Sequence, residues 1–350
     1  MAFDLPDDTG SATEAVRLQQ TLDEALRLWG FERAGEPEPI ADSVNNANFK
    51  VPTDHGNRFV RIHRRSRSRE RLELEQRIIA WIGPRGIPVN PPLPSNDGRT
   101  LRSVGGRFVS VYPWLDVRTF RVPGLDQNAA AMLGGLLGRL QSTLVHLDDP
   151  ALTTCPIARP WDTEASIEAL SRVDDLIRYY PSPGEWRLEV QRTLRYKLGL
   201  LESAEARPYT LFDDLPHQPC HGDFHERNVL LDSEGRLVAV TDWEMAGRMP
   251  RLFELVQSLT WLHLLDQPDE MESYLGAYAE NAPIGAAHIP RAVDMWWQAS
   301  LHNTWAFTEV FVRGDRSAGR FFAENDRHLR RFADPAFRTD LAERIARFAG

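Results

Sequence analysis

HGDFHERNVLLDSEGRLVAVTDWE, residues 221–244, carries an Asp, an Asn and a second Asp around two β-type runs. Asn228-Val-Leu-Leu-Asp232 and Leu237-Val-Ala-Val-Thr-Asp242 read as strands, and Asp232-Ser-Glu-Gly235 between them is turn composition. A hairpin of this kind puts Asn228 and Asp242 near one open end, with Asp223 ahead of them on a loop. That spacing suits phosphoryl transfer. One carboxylate orients an attacking hydroxyl, and two hard oxygens hold Mg2+, an ion that takes few protein ligands and completes its shell with phosphate oxygens and water. Singly, each residue has a bland use: Asp223 caps a turn, Asn228 opens a strand, and Asp242 caps the segment after it. His221-Gly222 in front and Trp243-Glu244 behind make the joint pattern hard to assign to three separate caps.

The rest of the chain bounds this reading. With 350 residues, 42% hydrophobic and 26% charged, it has material for a sizeable core and more than one compact unit. MAFDLPDDTG has no basic or apolar leader pattern, and no run approaches the roughly 18 apolar residues of a membrane span. A soluble, cytoplasmic protein without a membrane partner is expected. A net charge of −9 argues against broad nucleic-acid binding, which needs a cationic face. Cys155 and Cys220 lie far apart without CxxC spacing and read as reduced thiols. The exception to the acidity is RFVRIHRRSRSRERL, residues 58–72, with seven arginines.

Periodicity predicts a helix over 11–30, a hairpin over 43–63 around Asp54-His55-Gly56-Asn57, and a helix over Arg69–Ile82 that ends at Gly83-Pro84. A proline-rich stretch follows, then a strand over Arg107–Tyr112. From about 126 the pattern is helical over 128–147, 163–180, 184–206, 252–265, 270–281, 290–313 and 318–332, with only residues 221–244 interrupting it. The expected domains are therefore an N-terminal lobe over 1–111, a linker over 112–117 and a helical C-terminal lobe over 118–350.

HGDFHERN followed by TDWE resembles the aminoglycoside phosphotransferase and choline kinase superfamily. Its members have a bilobal, protein-kinase-like α+β fold, a small antiparallel-sheet lobe and a larger helical lobe, and phosphorylate small-molecule hydroxyls with ATP. The resemblance implies that Asp223 is the catalytic base, that Asn228 and Asp242 ligate Mg2+, and that His221 and Gly222 hold the catalytic loop. HGD and DWE in place of HRD and DFG mark the small-molecule branch. In the N-terminal lobe the resemblance places the phosphate-binding cation on Arg61, where kinases have lysine, with Glu75 or Glu73 as its helix partner. The same glutamates fit a solvated helix face. The turn Ser43-Val-Asn-Asn-Ala-Asn48 has no glycine. Asn45 and Asn46 tolerate left-handed backbone and suit a tight turn offering N–H groups to phosphate. Such Asn-rich turns occur in the homoserine-kinase-like and stress-response-kinase-like branches. Tyr112, Trp114 and Leu115 fall on the linker expected at the adenine edge.

The resemblance implies a hydroxyl-bearing small molecule as acceptor: an amino-alcohol, a homoserine-like amino acid or a sugar. Trp297, Leu301, Trp305 and Thr308 share a helical face near His302, Asn303 and Glu309, a stripe more usual in a core than in a pocket. The C-terminal segment lacks a dense acidic cluster for polycations, whereas arginines at 248, 251, 313, 316 and 320 suit a carboxylate-bearing acceptor. Two alternatives share the fold: a bacterial Ser/Thr stress-response protein kinase, and a nucleotide-binding module without activity, suggested by Arg61 and the glycine-free turn. Oligomeric state is not encoded in any of these patterns.

Overall fold

The computed structural model describes residues 11–40, 46–120, 125–180 and 184–350. The chain forms two compact units: residues up to 118 together with 230–244, and 119–229 together with 245–350.

In the first unit, α1 (Ser11–Trp29) precedes β1 (Glu38–Ile40), β2 (Ala47–Thr53) and β3 (Gly56–Ile62), then α2 (Arg69–Ile82), β4 (Arg102–Val104), β5 (Arg107–Pro113) and β6 (Arg118–Thr119). Five strands form an antiparallel sheet in the order β1-β2-β3-β5-β4. Alternation decides its two faces. Phe49, Val51, Val60, Ile62, Val109 and Val111 pack against Leu22, Ala25, Leu26 and Trp29 of α1. Ser110 points the other way, and Gln76 of α2 donates to its Oγ at 3.0 Å, so α2 covers the opposite face. Arg61 is paired with Ser110 and Phe59 with Tyr112, which puts all four on the α2 side. Helix α2 starts where Ser68 accepts the Arg71 N–H and stops at Gly83-Pro84, the ends expected from the sequence.

The second unit begins with α3 (Gln127–Leu144), α4 (Thr163–Ile177), α5 (Gly184–Leu201) and β7 (His217–Cys220). Strands β8 (Val229–Leu231) and β9 (Leu237–Val240) pair as expected; β9 belongs to the first unit, within which the Val240 N–H donates to Pro88 O at 2.8 Å. Then come β10 (Gly247–Pro250), α6 (Arg251–Leu264), α7 (Pro268–Ala279), α8 (Ile289–His302), α9 (Trp305–Phe311), α10 (Phe322–Ala333) and α11 (Pro335–Ala346). Helix α3 lies directly on α7: a Cβ added at Gly134 would collide with the Tyr274 carbonyl, and one at Gly138 would stand 2.7 Å from Tyr278 O. Strand β7 runs antiparallel to β10, with Cys220 opposite Gly247.

Two helical expectations differ in detail. The helix expected over 290–313 is two, because Asn303 leaves α8 with extended backbone and its Oδ1 accepts the Trp305 N–H that opens α9. The C-terminal segment, over which no helix is expected, forms α11, whose start is fixed by Asp334 accepting the Ala336 N–H and by Pro335 in the first turn. No helix among the described residues is long and apolar enough to cross a membrane.

Candidate active site

In the second unit the loop that leaves β7 is fixed from behind. His221 is fully buried, and Gly222 has φ +84°, a left-handed conformation that favours glycine. A Cβ there would collide with the Met245 carbonyl and stand 2.8 Å from Cys155 Sγ. The Gly222 N–H donates to Glu254 Oε1 at 2.6 Å, and Gln257 Nε2 donates to Gly222 O. Glu254 is a fully buried carboxylate whose other oxygen accepts from Gln141 Nε2 at 2.7 Å, and Gln141 Oε1 accepts the Tyr278 hydroxyl. A buried charge is tolerable only with such partners. Glu254 went unnoticed in the sequence, although a lone acid within the apolar run Leu252-Phe253-Glu254-Leu255-Val256 is itself a signal.

With its backbone so held, Asp223 presents a side chain 37% exposed. Its N–H donates to His221 Nδ1, and Asn228 Nδ2 donates to its carbonyl oxygen at 2.8 Å and to Oδ2 at 3.4 Å. The Arg227 N–H donates to His225 Nδ1, and His225 Nε2 lies 3.7 Å from Asp223 Oδ2 and 3.2 Å from Asn228 Nδ2. Burial opposes ionisation of Asp223, but His225, His221 and Asn228 outweigh it and hold the carboxyl below its ordinary pKa. For His225 the same pair works in reverse: burial disfavours the charged ring, while the Asp223 hydrogen bond and the charges of Asp223 and Glu226 raise its pKa overall. The loop thus offers an ionised carboxylate as a hydrogen-bond acceptor.

In the first unit Asp242 follows β9 with φ +64°, uncommon for a residue other than glycine though within reach of Asp. The next ring, Trp243, is buried and donates to Val240 O. Glu244 Oε2 accepts from Arg67 Nη1 at 2.8 Å, and Glu244 O accepts from Arg71 Nη2 at 3.1 Å. Arg67 also pairs with Glu75. Burial pulls the Arg67 pKa down while Glu244 and Asp242 support its charge. Arg61 and Glu75, expected as partners, are therefore not brought together: Arg61 Nε donates to Asn48 Oδ1 at 3.2 Å across the β2–β3 pair. Glu73 pairs with Arg69 instead, as a solvated helix face does.

Asn46 Oδ1 accepts the Arg64 N–H, while Asn45 lies outside the described residues. Tyr112 is buried against Phe59, and burial raises its phenol pKa. Trp114 Nε1 donates to Asp116, Lys50 lies over its ring, and Leu115 is half-buried. In the helical stripe, Trp297 and Leu301 are fully buried, His302 stacks on Trp161, and Glu309 is buried against Arg313. Core packing, the usual fate of such a stripe, accounts for these. Of the arginines suggested for an acceptor carboxylate, Arg251 donates to Pro283 O, and Arg316 and Arg320 lie over Tyr180 and Phe321.

The sequence matches the phosphotransferase enzyme family over residues 36–291. A homoserine kinase of Cupriavidus pinatubonensis (strain JMP 134 / LMG 1197) is 26% identical over 227 residues, 62% of this chain and 62% of that protein, so the match spans less than two thirds of the relative. A homoserine kinase of Pseudomonas aeruginosa (strain LESB58) is 25% identical over 306 residues, 83% of this chain and 88% of the relative. Among solved structures, amicoumacin kinase in complex with AMP-PNP and Ca2+ aligns with TM-score 0.61 at 16% identity, over 91% of this chain and 96% of that one. The microcompartment-associated aminopropanol kinase aligns with TM-score 0.59 at 16% identity, over 89% and 95%. At such identity the structures share the fold: a small antiparallel sheet followed by a mainly helical part, as the sequence predicts. With the family pattern running through both units, the chain belongs to the phosphotransferase enzyme family.

Proposed function

We propose that this protein is an ATP- and Mg2+-dependent kinase that transfers the γ-phosphoryl group to the hydroxyl of a small molecule, with a homoserine-like amino acid as the leading acceptor. The observation that carries the reading is the Asp223 carboxylate: ionised, open to solvent, and held on a loop whose backbone is anchored to a buried glutamate. Asp223 accepts the hydrogen bond of the acceptor hydroxyl and aligns its oxygen for attack. The new O–P bond forms as the bond from the γ-phosphorus to the β–γ bridging oxygen breaks; ADP leaves, and the hydroxyl proton passes through Asp223 to solvent. Asn228, bound to both the carbonyl and the carboxylate of Asp223, keeps that carboxylate in one orientation.

Asn228 would bring an amide oxygen and Asp242 a carboxylate, hard donors of the kind Mg2+ prefers. When bound, the ion supplies charge neutralisation at the phosphates. Arg61, Asn45 and Asn46 are assigned to the phosphates, with Tyr112, Trp114 and Leu115 beside the adenine. Homoserine as acceptor is supported by the two homoserine kinases, which match over 62% and 88% of their length.

The test is a thermal-shift series with Mg2+-ATP and Mg2+-GTP, then with homoserine, choline, ethanolamine, simple sugars and aminoglycosides added, followed by turnover assays. A Mg2+-dependent nucleotide shift that grows with homoserine, together with ADP release, is the expected result. Phosphate on protein rather than on any small molecule, or nucleotide binding without turnover on any acceptor, overturns it.

A further inference from the structure

Arg67 stands outside every expected role, since the sequence placed the functional cation of this region six residues earlier. It sits in the turn between β3 and α2, its side chain 8% exposed, and makes ion pairs with two carboxylates that are themselves nearly buried, Glu75 on α2 and Glu244 after β9. Its planar fork can serve two acceptors at once, which a lysine's point charge does less well. From the next turn, Arg71 holds the Glu244 carbonyl oxygen, so both ends of Glu244 are fixed to the segment that starts α2. Two residues before Glu244 the chain carries Asp242 in left-handed backbone, and Trp243, between the two, is pinned to Val240. Backbone torsions of this type persist only where the surroundings over-determine them.

The geometry points to Arg67 as a positioning residue: by bridging Glu75 and Glu244 it fixes the backbone that aims Asp242 and ties that aim to the placement of α2. This rests on the kinase reading above and deepens it. Arg61 is thereby released from the helix glutamate to face Asn48, on the side of the sheet where Tyr112 also lies. A purely structural ion pair would stabilise the unit without altering how the enzyme uses its metal, and that difference is measurable.

The experiment uses the full-length protein with Mg2+ titrated at fixed ATP, comparing wild type, Arg67→Lys, Glu244→Gln and the double variant. These substitutions preserve size and most of the packing, and thermal unfolding without ligand checks that each variant is folded. Glu244→Gln and Arg67→Lys should each raise the free Mg2+ needed for half-maximal nucleotide binding by about tenfold, as loss of an outer-shell partner does. The KM for the acceptor should stay unchanged, and the double variant should be no worse than the poorer single one. Lower thermal stability with an unaltered Mg2+ requirement makes Arg67 merely structural and overturns the inference. A wild-type protein that neither binds Mg2+-nucleotide nor turns over overturns the kinase reading itself, and this inference with it.

Discussion

The Gly222 amide and the Glu254 carboxylate meet at 2.6 Å in a fully buried setting, so that a charge in the core of the helical unit fixes the loop carrying Asp223. Glu254→Ala removes the acceptor for both Gly222 and Gln141. Each orphaned buried donor costs about 1–3 kcal/mol, so a clear drop in the denaturation midpoint is expected together with loss of turnover. Glu254→Gln keeps one acceptor oxygen but turns an amide against Gln141, and should fall between wild type and Glu254→Ala. Equal stability of wild type and Glu254→Ala in a urea titration would contradict this account of the loop.

Asp223→Asn keeps size and hydrogen-bond reach to Asn228 while removing the charge that accepts the hydroxyl. General-base contributions run at roughly 10²–10⁴ in rate. We expect kcat to fall by that order while the thermal shift given by Mg2+-nucleotide survives. An Asp223→Asn enzyme that turns over at the wild-type rate would remove Asp223 from the reaction.

Gly222→Ala tests sterics rather than charge. The added methyl meets the Met245 carbonyl, which is main chain, and the sulfur of Cys155, whose N–H donates to Arg248 O at 2.9 Å; the residue must also hold φ +84°. Destabilisation of about 3 kcal/mol or more is anticipated from overpacking and strain combined. Chemical denaturation of the variant, followed by tryptophan fluorescence, reads the effect directly.

His63 provides a pH signature in the first unit. It is buried, its Nε2 lies 3.2 Å from Ser110 Oγ, and burial, reinforced by Arg61, Arg67 and Arg107, lowers its pKa from 6.5 to about 3. The folded state therefore refuses a proton that the unfolded chain accepts below 6.5. Its contribution is fully present above 6.5 and is lost as pH falls from 6.5 towards 3, with a limiting slope of about 1.4 kcal/mol per pH unit. His63→Gln, which can still bond Ser110, should flatten the pH dependence of unfolding free energy in that range. Parallel curves for the two proteins would show that His63 does not titrate as described.

Much of this was legible in the residues because the deciding interactions are local. Ser68 and Gly83-Pro84 bracket α2 within their own turns, and the hairpin β8–β9 follows from two apolar runs and one turn. Arg67 was not legible. Its partner Glu244 is 177 residues away, and nothing in RRSRSRER distinguishes one arginine from its neighbours until α2 and the segment after β9 are folded together. The resemblance nominates Arg61 from its place on a strand ahead of a helix, and that placement says nothing about which cation reaches back from a turn. The break at Asn303 was missed for the opposite reason: apolar periodicity runs on through a cap whose only mark is one Asn side chain. The start of α11 was available in Asp334-Pro335, a cap followed by proline, and was obscured by the mixed charges behind it.

The glycines of α3 leave no side chain between its backbone and that of α7. Sliding or tilting of one helix against the other would drive carbonyl oxygens into main-chain atoms, so the two behave as one cooperative piece. Gln141 and Tyr278, the pair behind Glu254, sit one on each of these helices. Amide protons of α3 and α7 should therefore exchange with deuterium together and only through opening of the whole helical unit. The loop bearing Asp223 would then draw its rigidity from the slowest-exchanging part of the chain.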